Sequence, residues 1–288
     1  MIKVFLYRFL FRFVPDSIWI RLQYYRNIGR WPDLTNPKTF NEKLQWLKLH
    51  DRNPLYTKLV DKYEVKKIVA EQIGNEYVIP TLGVWDKFDD IDFDKLPNQF
   101  VLKCTHDSGG LIVVKDKSKL DIGAAKKKIN KCMKMNYYWT FREWPYKNVK
   151  SRIIAETYME DESGYELKDY KVFCFNGVPK ALFIATDRGI HKTKFDFFDA
   201  DLNHLPMKQY YPNNPKIKIP DPEGIKKMFE LAHVLTKNFK HCRADFYDIN
   251  GKIYFGELTF SHFSGMQAME PREWDEKFGS WLVLKNDA

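Results

Sequence analysis

Phe100-Val101-Leu102-Lys103-Cys104-Thr105-His106-Asp107-Ser108-Gly109-Gly110 is the stretch on which the fold turns. Its first half alternates. Phe100, Leu102 and Cys104 fall on one side, Val101, Lys103 and Thr105 on the other, and β-formers dominate, which predicts a strand. It ends in Ser-Gly-Gly, and a second apolar run follows, Leu111-Ile112-Val113-Val114. A strand that delivers a lysine and then a small loop is one way to hold a polyphosphate. The ammonium supplies charge, and glycines let backbone N–H groups approach the oxygens. An ordinary hairpin with a lysine on its wet face fits the same letters, because Gly-rich turns are common punctuation. Both readings stay open on this stretch alone.

Upstream, Thr39-Phe40-Asn41-Glu42 fits a capping box, and Phe40, Leu44 and Leu47 continue it as a helical stripe to about His50. Asp61 reads as the N-cap of a helix that buries Val65, Ile68, Val69 and Ile73 and stops at Gly74. Lys62 then sits at the first turn, where free amides also attract an anion. Residues 78–84 read as a short strand, and residues 86–97 as an acidic connector. Downstream of the opening pair, Asp121 starts a lysine-rich helix, and residues 136–149 read as an aromatic lid or substrate loop. Strands follow at 153–155, 166–175, 181–185 and 194–198, and a helical stripe at 225–239. Helices cluster early and strands late, an α+β pattern with antiparallel sheets.

The 288 residues carry a net charge of +9. A basic surface suits acidic partners: nucleotide, anionic glycan or anionic lipid. No RNA- or DNA-reading motif is present, which argues against nucleic acid. The four cysteines form no CxxC pair and read as free thiols of a reducing cytosol; the seven histidines show no HExxH spacing. Residues 1–14 are apolar but broken by Lys3, Arg8 and Arg12, too short and too charged to span a bilayer. They can lie as a helix on the inner membrane face or pack on the body of the protein.

The last hairpin is the second anchor. Arg243-Ala244-Asp245 lies on one strand and Gly256-Glu257-Leu258-Thr259 on its partner, around Asp248-Ile249-Asn250-Gly251. Arg243 and Asp245 share a face by the period of two, as do Glu257 and Thr259. A hairpin registered symmetrically about its turn is expected to bring those faces together. Carboxylates on facing strands suit a hard cation such as Mg²⁺; a cross-strand Arg–carboxylate pair on a wet face is the plainer reading.

Taken in order, Asp61-Lys62, Lys103 with its Gly-rich loop, Ile154-Ala155-Glu156-Thr157-Tyr158-Met159, Asp169-Tyr170-Lys171-Val172, Arg243-Ala244-Asp245 and Gly256-Glu257-Leu258-Thr259 resemble the serial pattern of the ATP-grasp superfamily. Residues 36–43, 79–85 and 103–109 resemble its TupA-like branch, found in bacterial surface polysaccharide and teichuronopeptide assembly. The resemblance implies two α+β subdomains whose antiparallel sheets sandwich ATP. Its expected divisions are a helical basic-aromatic extension (1–54), the N-terminal part of the core (55–99), a small subdomain with the phosphate loop (100–160) and a large subdomain with the metal site (161–288). It implies Lys62 and Lys103 on the phosphates, and His106, Ser108, Gly109 and Gly110 in a mobile loop over them. Glu156, Tyr158 and Met159 would contact adenine and Asp169 the ribose. Asp245, Glu257 and Thr259 would hold Mg²⁺, and Arg243 would stabilise the reacting carboxyl. Cys104 stands where the family usually has proline, and Thr259 where it usually has asparagine, a better metal ligand.

The activity so implied is an ATP-dependent carboxylate–amine ligase working through an acylphosphate on a uronic acid or amino acid of a surface polysaccharide, including a lipid-linked glycan. A kinase or glycosyltransferase of the same assembly route would reuse the nucleotide cradle. A non-catalytic glycan-binding protein is the third reading, and the retained Lys, Asp and Glu set argues against it.

Overall fold

The structure, a computed structural model, describes residues 11–107, 109–164, 166–187, 192–214, 216–219 and 221–284. Residues 1–10 of the expected surface helix, and Ser108 of the expected phosphate loop, lie outside that set. Ladder pairing is antiparallel throughout the described strands, which form two sheets.

The smaller sheet runs β1-β4-β2-β3, from β1 (Thr81–Trp85), β2 (Phe100–Cys104), β3 (Leu111–Val114) and β4 (Ile153–Thr157). The alternation in β2 does what the sequence suggests. Phe100, Leu102 and Cys104 turn inward with Ile153 and Ala155, and pack on Ala125, Ile129 and Cys132 of a helix spanning Ile122–Met133. Asp121 caps that helix, its Oδ1 accepting from the Ala124 amide at 2.8 Å. Val101 and Lys103 are left on the other face, where Val101 opposes Glu156 and Lys103 opposes Ile154.

The larger sheet runs β10-β9-β5-β6-β7-β8. Its strands are β5 (Asp169–Phe175), β6 (Val178–Thr186), β7 (Lys194–Asp199), β8 (His204–Leu205), β9 (His241–Ile249) and β10 (Lys252–Thr259). Helices cover both faces, so its central strands read as continuous apolar runs; Ala181 to Ala185 are all buried. On one face Tyr170, Val172, Ala244 and Phe246 meet a helix at Pro222–Thr236 and two short ones at Leu55–Val60 and Glu64–Ile73. On the other, Phe173, Phe175 and Phe183 meet the Phe40–His50 and Glu273–Trp281 helices through Phe40, Leu44 and Phe278. Each such side chain contributes about 1.5–3 kcal/mol by leaving water.

The capping box forms as read: Glu42 N–H donates to Thr39 Oγ1 at 3.3 Å, and Thr39 N–H to Glu42 Oε2 at 3.1 Å. Asp61 caps too, its Oδ1 accepting from Tyr63 and Glu64 amides. Three readings change. The strand expected from residue 78 begins at Thr81, and Val78 instead makes a single parallel bridge to Phe255 on the edge of the larger sheet. Residues 203–222, proline-rich and read from the sequence as irregular, contain β8. The aromatic segment 136–149 is tied down rather than free as a lid. Trp19 Nε1 donates to Thr140 O at 3.0 Å, Tyr138 OH to Asp16 Oδ1 at 2.7 Å, and Ser264 Oγ to Glu143 Oε1 at 2.5 Å.

All four cysteines are buried and free. Among the described residues no helix is long and apolar enough to cross a membrane.

His241 is buried among Phe40, Phe173 and Phe175, with Nδ1–H on Cys174 O at 3.0 Å. Burial lowers its pKa to about 3. The unfolded imidazole binds its proton near pH 6.5, so between there and about pH 3 the unfolded state holds more protons. Stability then falls as pH falls, by up to about 1.4 kcal/mol per pH unit from this group. His241→Phe is expected to lessen the acid loss: urea midpoints at pH 7 and 4.5 should differ less in the variant than in the parent.

Candidate active site

The site begins with a register fault. The hairpin turns through Asn250 and Gly251, φ +54° and +80°, with Ile249 opposite Lys252. Symmetric pairing from that turn would set Asp245 against residue 256. Glu257 would then fall opposite Ala244 and point into the core, so the expectation that symmetry unites the two faces is corrected. What unites them is a bulge. Phe255 opposes Phe246, Gly256 is skipped, and Glu257 opposes Asp245. A Cβ at Gly256 would lie 3.1 Å from Asp245 O and 3.2 Å from the Tyr247 ring, which explains glycine there. Past the bulge Leu258 and Phe260 take the core face. Glu257 and Thr259 emerge beside Arg243 and Asp245.

Arg243 grips Asp245 with two bonds, Nε to Oδ1 and Nη2 to Oδ2, both 2.7 Å. Lys171, directly across on β5, forms an ion pair with Asp245 Oδ2 and lies 3.5 Å from Asp169 Oδ1. Glu257 Oε1 lies 3.6 Å from Arg243 Nη2, and its Oε2 lies 3.8 Å from Lys62 Nζ. Burial would raise the Glu257 pKa, but Lys62, Lys171, Arg243 and Lys103 outweigh it and hold the carboxyl down to about 2. Thr259 Oγ1 accepts from Arg243 Nη2 at 3.2 Å.

Opposite stands the smaller sheet's open face. Lys103 Nζ lies 2.5 Å from Glu156 Oε2, and Lys66 Nζ 2.5 Å from Glu156 Oε1. Burial pushes the Glu156 pKa up, and the two ammonium groups overcome it, so the acid is held below its usual range. Lys62 Nζ also donates to Asp107 O at 2.6 Å, tying it to the Gly-rich loop. In that loop Gly110 N–H donates to Asp107 Oδ1 at 3.0 Å, and a Cβ there would collide with Cys104 Sγ at 2.6 Å. Gly109 has open space, a Cβ reaching nothing nearer than 4.0 Å.

The structure thus brings together Lys62, Lys103, Glu156, Asp169, Arg243, Asp245, Glu257 and Thr259. Tyr158 and Met159 are partly buried just past β4, with Tyr158 OH donating to Glu160 Oε2 at 2.7 Å. His106 is not presented to the cleft: it is buried, with Nε2 3.2 Å from Cys132 O. Three residues escaped the sequence reading. Lys171 follows Asp169 by two and shares its face, so the period-two argument could have found it. Lys66 lies four residues after Lys62, one turn on. His262 offered no pattern.

His262 nonetheless sets the guanidinium. Arg243 Nη1 donates to His262 Nδ1 at 2.6 Å, so Nε2 carries the proton and donates to Gln209 Oε1 at 2.8 Å. The imidazole is held neutral, its pKa well below the usual value, chiefly by burial and then by Arg243. A left-handed turn follows, with φ +45° at Phe263, +56° at Ser264 and +60° at Gly265. Two non-glycine residues there cost on the order of 1–3 kcal/mol each. Gln45 Nε2 donates to Gly265 O at 2.7 Å and Lys48 Nζ to Ser264 O at 2.5 Å, and Glu143 holds the Ser264 hydroxyl. His262→Phe is expected to lower turnover roughly 10–100-fold through misplacement of Arg243. His262→Asn, which restores an acceptor, should recover most of it; equal losses in both would show that His262 only fills space.

Among the described residues no group of three or more His, Cys, Asp or Glu side chains is placed to hold a metal ion; the two hairpin carboxylates could serve Mg²⁺ only if water and phosphate oxygens supplied its other ligands. Glu257 is ionised, with a side chain 38% exposed, and Arg243 and Lys171 occupy three of the roughly four lone-pair positions of Asp245. Glu257 and the remaining Asp245 position would hold Mg²⁺, with Thr259 adjacent.

A model of the TupA-like ATPgrasp family matches residues 42–283. Solved structures similar to the chain include an L-amino acid ligase from Bacillus licheniformis, at 10% identity and TM-score 0.48, covering 88% of this chain and 57% of that one. The D-alanine–D-alanine ligase from Bacillus anthracis gives 17% identity and TM-score 0.45 over 85% of this chain and 69% of that one. Its structure complexed with ATP gives 17% and 0.42 over 70% and 54%. The chain spans 54% to 69% of the length of these three. No curated protein matches the sequence.

Proposed function

The chain belongs to the TupA-like ATP-grasp family, and from that premise we propose that it is an ATP-dependent carboxylate–amine ligase. One observation carries the reading: amines from two separate segments, Lys62 and Lys103, share a cleft with the acids of the bulged hairpin. Lys62 Nζ lies 3.8 Å from Glu257, and Lys103 lies close enough to help depress that acid's pKa.

In this reading Lys62 and Lys103 hold the triphosphate, and Glu156 orients both Lys103 and Lys66 while offering an oxygen to the adenine amino group. Val101, Leu111 and Val113 lie on the same face as Lys103, and Leu111 and Val113 are 41% and 50% exposed, an apolar wall that a flat base would cover. Tyr158 and Met159 supply backbone to the ring edge, and Asp169 takes the ribose. Magnesium, when bound, neutralises charge on the phosphate oxygens. The substrate carboxylate attacks the γ-phosphorus and releases ADP. Arg243, aimed by His262, stabilises the charge on the resulting acylphosphate. An amine then attacks its carbonyl carbon and expels phosphate, leaving an amide.

The substrate we propose is a uronic acid or amino acid of a bacterial surface polysaccharide. The net charge of +9 supports an anionic substrate. Incubation with ATP, Mg²⁺ and acid–amine pairs, followed by mass spectrometry and phosphate assay, tests this. A ligase releases phosphate only when both organic substrates are present. ADP without free phosphate would identify a kinase, and indifference to ATP with turnover of a sugar nucleotide would identify a glycosyltransferase.

A further inference from the structure

The helix α1 (Asp16–Ile28) carries apolar side chains on two faces. Ile20 and Tyr24 are fully buried against the body. Ile18, Leu22 and Tyr25, spaced by four and three, form a second stripe on the far side, and they are 50%, 48% and 48% exposed. Trp31, 57% exposed, stacks on Tyr25 with ring centroids 4.7 Å apart, and Phe13, just ahead of the helix, is 76% exposed. At about 100° per residue, Arg21 and Arg26 flank the stripe on opposite sides. Arg21 is half-buried and donates to Pro32 O at 3.2 Å, with Asp33 close enough to feel its charge; Asp16, at the start of the helix, is engaged by Arg52, Tyr138 and Arg142.

We propose that this outward face of α1, extended by Trp31, docks on an anionic lipid bilayer. A narrow apolar stripe with aromatic rings and flanking arginines matches the boundary between acyl chains and headgroups, where rings sit at headgroup level and arginine reaches the phosphates. A soluble anionic glycan would use the arginines and leave the stripe wet. A two-fold contact with a second copy would bring the arginines of the two copies together. The sequence ahead of α1 has the same character, with Phe5, Leu6, Phe9 and Leu10 beside Lys3 and Arg8. The inference does not depend on the ligase reading.

Co-sedimentation of the full chain with vesicles of phosphatidylcholine, with and without phosphatidylglycerol, tests it. Binding is expected to the anionic vesicles, weakening with added salt. The combined change Ile18→Ser, Leu22→Ser, Tyr25→Ser removes apolar contact at exposed positions. It should lower anionic-vesicle binding about tenfold or more while the thermal midpoint stays unchanged. Arg26→Gln should reduce the preference for anionic over neutral vesicles. Absence of vesicle binding by the parent chain, binding by the triple variant equal to the parent, or a lipid-free dimer that the triple variant splits would each overturn the proposal.

Discussion

Glu257→Gln is expected to lower ATP turnover by on the order of 10²–10³-fold with little change in the fold. The amide keeps the shape of the carboxylate and loses its charge. Glu257 is the acid nearest Lys62 and the only one of the hairpin pair with a substantially exposed side chain, at 38%. Its exposure limits what its ion pairs add to stability, so the thermal midpoint should move by no more than a few degrees. Phosphate release measured beside a melting curve separates the outcomes. Unchanged turnover would remove Glu257 from the metal site, and lost turnover with a collapsed melt would mean that the residue is structural.

The second large effect is on stability. Arg243→Leu leaves Asp245, which is 1% exposed, with Lys171 as its remaining ionic partner, and it strips His262 of its donor. Breaking a buried pair from one side costs about 3–5 kcal/mol, more than the pair itself contributes, because a charge is left without compensation. In a chain of this size that is a fall of roughly 10 °C in the midpoint. The combined change Arg243→Leu, Asp245→Leu removes both charges and should recover part of the loss. A single variant that melts with the parent would show that water reaches Asp245 and that the clamp is not buried.

Much of this was legible in the sequence because it is local. The Thr39–Glu42 box, the Asp121 cap, the Asn250-Gly251 turn and the alternation of Phe100 to Cys104 each depend on residues a few positions apart. Order along the chain also carried the site, since the two anchors and the segments between them fall into one family pattern. What the sequence concealed depends on register and packing. The extra residue at Gly256 reverses which side chains face the site, and a glycine inside a strand hints at a bulge without fixing the register past it. Nothing in the sequence separates Lys171 and Lys66 from other lysines in burial; neighbouring strands and helices enclose them. The left-handed turn after His262 is held from Gln45, Lys48 and Glu143, all more than a hundred residues away in sequence. The aromatic segment 136–149 lacked a period because its rings pack against α1 and the body, not along one face of an element.

The most direct measurement is a crystal structure with Mg²⁺ and a non-hydrolysable ATP analogue. The expected result is a triphosphate on Lys62 and Lys103, with the metal on Glu257 and Asp245, between the two sheets. A nucleotide bound elsewhere, or a cleft that stays empty at millimolar analogue while Lys62 keeps its contact with Glu257, would contradict the account.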